Sequence, residues 1–199
     1  MKPSKKNKIN IHYSKLIKQY GYNKFGMGWR NDQLSKRYNI FLKHVNLRNK
    51  IIFDYGSGIC NLYKHLCNKK IKFKKYIGYD FNPDLIKYNQ NKKLKKFEFV
   101  INKDIIKNSN IDFTISNGVH NYKTQNNFED FKKDLSFFYK ISNTGFGISF
   151  LNNNVDFKES YLSYLDINKV INEIQKFSCN YIIDQTFKKY ETFLIVYKH

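Results

Sequence analysis

Two prolines, nine glycines, three cysteines and one tryptophan are spread over 199 residues, and 16 acidic side chains face 36 lysines and arginines. Each shortage excludes something. With so little proline and glycine there is no Pro/Gly/Ser linker, and without an internal repeat or a shift in composition the chain reads as one structural domain. A chain of this length buries one core well and two poorly. Cys60, Cys67 and Cys179 have no paired metal spacing and cannot all pair with one another, so reduced thiols in a cytoplasmic protein are expected. The spacing of Cys60 and Cys67 suggests one helix face, as core fillers. His12, His44, His65 and His199 form no metal-binding pattern, and no metal is expected. No apolar run is long enough to cross a bilayer. The opening stretch, Met1 to Lys18, is lysine-rich and polar, unlike a signal peptide.

The shortage of acid leaves a formal charge of +20. A basic surface attracts phosphate, on nucleic acid or on an anionic membrane. The lysines are nonetheless scattered along every predicted element. Lys, Asn, Ile, Phe and Tyr are all abundant and have A/T-rich codons, so codon usage accounts for the charge as well as selection does. A nucleic-acid partner stays open without being favoured, and nothing in the pattern specifies an oligomeric state.

Periodicity predicts two helices before the first strand. Tyr13, Leu16, Ile17 and Tyr20 mark the first, with Gly21 as its stop. A loop carrying Phe25, Gly26, Gly28 and Trp29 follows. The second helix starts near the caps Asn31 or Asp32, with Leu34, Tyr38, Phe41, Leu42 and Val45 on one face. Strands and helices then alternate. Strands are predicted at Lys50–Tyr55, Lys75–Asp80, Phe97–Ile101, Ile111–Ser116 and Gly147–Leu151. Helices are predicted at Ile59–Asn68, after Asn82-Pro83, around Phe128–Phe138, and at Ile167–Phe177. Two final β-rich runs, Tyr181–Phe187 and Thr192–Tyr197, are too close for a crossover helix and must pair as an antiparallel hairpin. The fold class is α/β: a seven-stranded, mostly parallel, doubly wound sheet ending in an antiparallel hairpin, preceded by two helices.

The most informative segment is Phe53-Asp54-Tyr55-Gly56-Ser57-Gly58, a strand that delivers a carboxylate and then a glycine turn. The next strand, Tyr76-Ile77-Gly78-Tyr79, ends on Asp80. Two parallel strands ending this way form a crevice suited to an adenosine-bearing ligand, with Asp80 able to accept two hydrogen bonds from a ribose diol. A nicotinamide or flavin domain would need a third, closely spaced glycine, and Cys60 stands in that region instead.

On these stretches, together with Lys103-Asp104-Ile105, Asp112–Gly118 and the tail Thr192–Lys198, the chain resembles the class I S-adenosylmethionine-dependent methyltransferases. It looks most like small single-domain bacterial members found near surface-polysaccharide genes. The resemblance implies S-adenosyl-L-methionine as cofactor, residues 1–47 as helices covering its site, and 48–199 as the methyltransferase core. It further implies that Gly56 and Gly58 pass under the amino-acid part of the cofactor and that Asp54 reaches its ammonium. Asp80 would hold the ribose, Phe81 the adenine face, and Asp104 with the Ile105 N–H the adenine edge. Arg37 would clamp the methionine carboxylate and Trp29 would form a lid.

The loop Ser116-Asn117-Gly118-Val119-His120-Asn121 should meet the acceptor, with His120 as candidate base, because imidazole titrates near neutrality. Asn117 and Tyr122 could orient the acceptor. The loop lacks the Asn/Asp-Pro-Pro-Tyr/Phe run used on adenine amines. The polar and aromatic segment 152–165 suits a carbohydrate or other small polar molecule. A hydroxyl or amine acceptor on a small molecule or sugar is the expected substrate. RNA, or a module that binds the cofactor without catalysis, is the alternative.

Overall fold

The computed structural model describes residues 5–29 and 33–198. The elements run α1 (Lys5–Tyr20), α2 (Leu34–His44), β1 (Ile51–Tyr55), α3 (Asn61–Asn68), β2 (Lys75–Tyr79), α4 (Pro83–Gln90) and β3 (Phe97–Val100). They continue with β4 (Ile111–Asn117), α5 (Asn127–Ile141), β5 (Ser142–Leu151), α6 (Ile167–Ile174), β6 (Tyr181–Lys188) and β7 (Glu191–Tyr197). All seven strands form one sheet in the order β3-β2-β1-β4-β5-β7-β6. β1 to β5 are mutually parallel, and β7 lies antiparallel between β5 and β6. The chain moves outward from β1 to β3 and then returns to place β4 on the other side of β1. That reversal opens a crevice at the carboxyl ends of β1 and β4.

Both faces of the sheet are covered, so its central strands are apolar throughout. Alternate residues of β7 show the division. Phe193 and Ile195 pack with Phe41 of α2 and with Leu62 and Leu66 of α3. Leu194 and Val196 pack with Phe131, Leu135 and Phe138 of α5 and with Val170 and Ile174 of α6. Among the described residues no helix is long and apolar enough to cross a membrane.

Several boundaries differ from the sequence reading. β5 begins at Ser142, immediately after α5, not at Gly147. Its first residues are polar and resemble a loop, but β4 satisfies them: the Ser142 and Thr144 hydroxyls lie 2.7 Å from Thr114 Oγ1 and 2.8 Å from the Asp112 carbonyl. α3 starts at Asn61, so Cys60 precedes the helix instead of lying on it, and Cys67 is exposed, not a core filler. The predicted caps Asn31 and Asp32 lie outside the described residues. The scatter of lysine also changes character in three dimensions. The segments entering β1, β2 and β3 are joined by hydrogen bonds from Asn49 N to Lys72 O, Lys74 N to Lys50 O and Tyr76 N to Lys96 O. Exposed Arg48, Lys69, Lys70, Lys72, Lys74, Lys93, Lys95 and Lys96 therefore gather at the amino ends of these strands.

Candidate active site

A cavity of about 330 Å³ opens at the carboxyl ends of β1, β2 and β4. Its floor is the turn after β1. Gly56 N and Ser57 N both donate to Tyr79 O at 2.9 Å, which ties the turn to the end of β2. Gly56 has φ +76°, and a Cβ there would stand 2.2 Å from Val119 Cγ2, so only glycine fits. Asp80 completes the tie, accepting from Gly58 N at one oxygen and from Asn82 N at the other, each at 3.0 Å. The Asn82 side chain in turn caps α4 at Asp84 N and Leu85 N. Burial pushes the Asp80 carboxyl up, opposed by backbone N–H groups of Asn82, Gly58 and Phe81. Phe81 lies beside it on the same wall.

Cys60 occupies a left-handed backbone conformation (φ 61°, ψ 44°), the geometry a glycine would supply without strain. Its buried thiol lies 3.4 Å from Asn89 Oδ1, and burial pushes it up to about 12, reinforced by the charge of Asp54. The cysteine thus keeps the turn and fills the space beneath it.

Asp54 is 4% exposed and accepts a hydrogen bond from the Tyr76 hydroxyl. Burial pushes it up to about 7, with Tyr76 pulling down and the charge of Asp80 pushing up. Asn117, at the end of β4, is oriented by Ser149, whose hydroxyl donates to its Oδ1 at 2.8 Å and accepts from Gly118 N at 2.9 Å. The Trp29 ring stands against Gly118, and Ile9 and Tyr13 of α1 close the cavity from above.

Four expected residues do not line this cavity: Arg37, Asp104, Ile105 and Tyr122, whose ring packs against that of His12 at 4.8 Å. The guanidinium of Arg37 is forked onto Glu191, at 2.6 and 2.8 Å, and is stacked 4.6 Å from the Trp29 ring and 4.8 Å from that of Phe187. Glu191 is 1% exposed, so Arg37 is committed to a buried partner. The side chain of Asp104 is exposed and pairs with Lys107 at 2.9 Å. Ile105 is 60% exposed, and its N–H donates to Asn102 O. The carboxylates of Asp54 and Asp80 converge on the cavity, and that of Asp104 does not join them.

The remaining wall joins the expected base, His120, to residues that sequence reasoning did not single out. His120 sits in a 3-10 turn, Val119–Asn121, that is 6% exposed at the histidine, with its ring edge against Phe131 at 5.0 Å. Its Nε2 is buried without a hydrogen-bond partner, and Asp134 Oδ2 is 3.3 Å away. Asp134 Oδ1 accepts from the Tyr55 hydroxyl at 3.1 Å and from Lys103 Nζ at 3.2 Å. Burial pushes Asp134 up, but His120 and Lys103 outweigh it and hold the carboxyl below its ordinary value. One signal was available in the sequence. Asp134 falls on the apolar stripe of α5, between Phe131 and Phe138, where a carboxylate is out of place unless paired.

The neighbours of this fold among solved structures agree with the geometry. Magnesium protoporphyrin IX methyltransferase (ChlM) from Synechocystis PCC 6803 with bound SAM superposes with a TM-score of 0.64 at 12% identity, over 96% of this chain and 97% of that one. A DhpI–SAH complex gives 0.65 at 11% identity, over 94% and 93%. The chain has the fold of S-adenosylmethionine-dependent methyltransferases. The Pnkp1/Rnl/Hen1 RNA repair complex gives 0.69 at 12% identity over 98% of this chain, which spans about half (49%) of that one. No protein-family model and no curated protein matches the sequence.

Proposed function

We propose that the protein is an S-adenosyl-L-methionine-dependent methyltransferase acting on a small-molecule or sugar acceptor. The observation that carries the reading is the junction of Asp80 with the Gly56–Gly58 turn at the reversal point of the sheet. Both Asp80 oxygens are already oriented by backbone N–H groups, and each keeps a lone pair for a ribose hydroxyl. The turn passes close beneath without side chains. Asp54, buried in the same cavity, supplies a counter-charge that an ammonium would hold in its ionised form. These features fit a nucleoside that carries an amino acid, and SAM or SAH is bound in the ChlM and DhpI structures named above.

When bound, the sulfonium supplies an already activated methyl group. The work left to this chain is alignment, exclusion of water and removal of a proton. Trp29, Ile9 and Tyr13 roof the cavity. His120 faces it from within, so the acceptor must bring its reactive atom inside the protein. The segment 152–165 packs on the loop after β4, through Ser163 N to Asn121 O and Lys123 N to Tyr161 O. An enclosed approach of this kind supports a small acceptor.

The test is calorimetric titration with S-adenosylhomocysteine, followed by transfer of a labelled methyl group into an extract of the source cell. Tight 1:1 binding and a labelled small product are expected. Failure to bind either the donor or its demethylated product overturns the proposal. The formal charge of +20 favours a second reading, in which RNA is the acceptor. In that case the label enters RNA, and binding to RNA falls steeply with salt.

A further inference from the structure

We infer that Asp134 is the positioning residue for His120, and that the group methylated is therefore a hydroxyl. The inference rests on the methyltransferase reading and adds the acceptor atom to it. His120 Nε2, buried and without a hydrogen-bond partner, has the Asp134 carboxylate 3.3 Å away. That carboxylate is not free to turn. Its other oxygen is held by Tyr55 and Lys103, and Lys103 is braced against the Phe137 ring at 4.9 Å and by the Tyr55 hydroxyl at 3.4 Å. A fixed, ionised carboxylate beside Nε2 selects the tautomer with the proton on Nε2. Nδ1 is then the basic nitrogen. Pairs of this length commonly shorten when the reacting groups come together.

Such a base matters most for one common class of acceptor. Carboxylates are already ionised near neutrality, a thiol ionises in part by itself to a strongly nucleophilic thiolate, and a neutral amine attacks through its own lone pair and loses a proton afterwards. A hydroxyl keeps its proton at neutral pH and is a poor nucleophile while it does. In the inferred step the hydroxyl oxygen forms its bond to the methyl carbon as the carbon–sulfur bond breaks. The bonding pair stays on sulfur, and the hydroxyl proton passes to Nδ1 of His120. The charges along this wall do not call for an anionic acceptor, since Lys103 is paired with Asp134 and both Lys133 and Asp130 line the cavity.

The experiment uses the full chain with ¹⁵N-labelled histidine. Without any ligand, the His120 ring nitrogens should report the Nε2–H tautomer, and Asp134→Asn should shift the population toward Nδ1–H. With tritiated S-adenosylmethionine and a panel of alcohols, amines, thiols and carboxylic acids, the label should enter alcohols and resist release by mild base. Asp134→Asn should lower kcat about 100-fold and leave the KM for S-adenosylmethionine within threefold, whereas a loss of packing would weaken both. Should that variant fail to fold, Asp134→Asn with Lys103→Gln removes both charges and leaves no unpaired lysine. An unchanged tautomer, or label found on nitrogen, sulfur or a base-labile ester, overturns the inference. Absence of S-adenosylhomocysteine binding to the parent protein would sink the methyltransferase reading while leaving the tautomer result to stand by itself.

Discussion

The two walls of the cavity are built in contrasting ways. The wall along β1 and β2 is mostly main chain: a glycine turn, two N–H groups onto Asp80, and a carboxylate fixed by its place on a strand. The wall along α5 is made of side chains from separate elements, with Tyr55 from β1, Lys103 after β3, His120 after β4 and Asp134 on the helix. A main-chain site depends on a short run of residues and tolerates little change. A side-chain network can be retuned one residue at a time. The first wall is therefore suited to a ligand that does not vary, and the second to the part of the reaction that distinguishes one enzyme of this fold from another.

Arg37 belongs to neither wall, and it should give the largest effect on stability. Its partner Glu191 is 1% exposed, so Arg37→Ala leaves a buried carboxylate uncompensated and should cost about 3–5 kcal/mol, read as a lower midpoint in urea. Arg37→Met with Glu191→Gln should recover most of that loss. If Arg37 instead grips the cofactor, the double variant will be stable and will not bind S-adenosylhomocysteine.

Asp80 and His120 separate the walls directly. If Asp80 holds the ribose as proposed, Asp80→Ala removes two charge-assisted hydrogen bonds to the diol, each worth about 1.5–3 kcal/mol, and should weaken S-adenosylhomocysteine binding at least 100-fold by calorimetry. His120→Gln should leave that affinity within threefold while abolishing transfer. Equal losses of binding in both variants would mean that the two walls are one site.

Asp54 gives a smaller, pH-dependent effect. Its folded-state value is raised to about 7, so the folded protein holds a proton that the unfolded chain releases near pH 4. Between about pH 4 and 7 its contribution therefore makes stability fall as pH rises, and Asp54→Asn should remove that slope and raise the melting temperature at pH 8. Affinity for an ammonium-bearing ligand runs the other way. It should strengthen with pH by up to about tenfold per unit below 7, and flatten above it. Melting curves and titrations at pH 5, 6, 7 and 8 measure both trends.

What could be read from the sequence follows the same division. Gly56, Gly58, Asp54 and Asp80 lie at the ends of strands whose apolar runs are unmistakable, and a short stretch of chain fixes their relation. The hairpin was legible because so few residues separate its strands. Asp134 was not, because nothing in one dimension joins it to His120 or Lys103. The partner of Arg37 was hidden for a related reason. An arginine among apolar positions needs a partner, but Glu191 lies far along the chain, on the last strand. Cys60 was read correctly as the missing glycine, and what stayed hidden was that its backbone adopts the left-handed turn regardless.

Asp104 offers the finest test, since the family resemblance and the structure disagree about it. The resemblance has Asp104 and the Ile105 N–H gripping the adenine edge. In the structure Asp104 is turned to solvent with Lys107, and the Ile105 N–H is donated to Asn102 O. An exposed pair contributes little, because water competes for both partners. If this arrangement persists when the cavity is filled, Asp104→Ala will change S-adenosylhomocysteine affinity by less than threefold, and adenosine and inosine analogues will bind alike. A tenfold loss, with adenine preferred over hypoxanthine, would mean that the 3-10 turn Lys103–Asn108 swings inward on binding. That movement would carry Lys103 with it, and Lys103 holds Asp134. Filling the first wall would then reset the second, and the two walls would be mechanically coupled through one short turn.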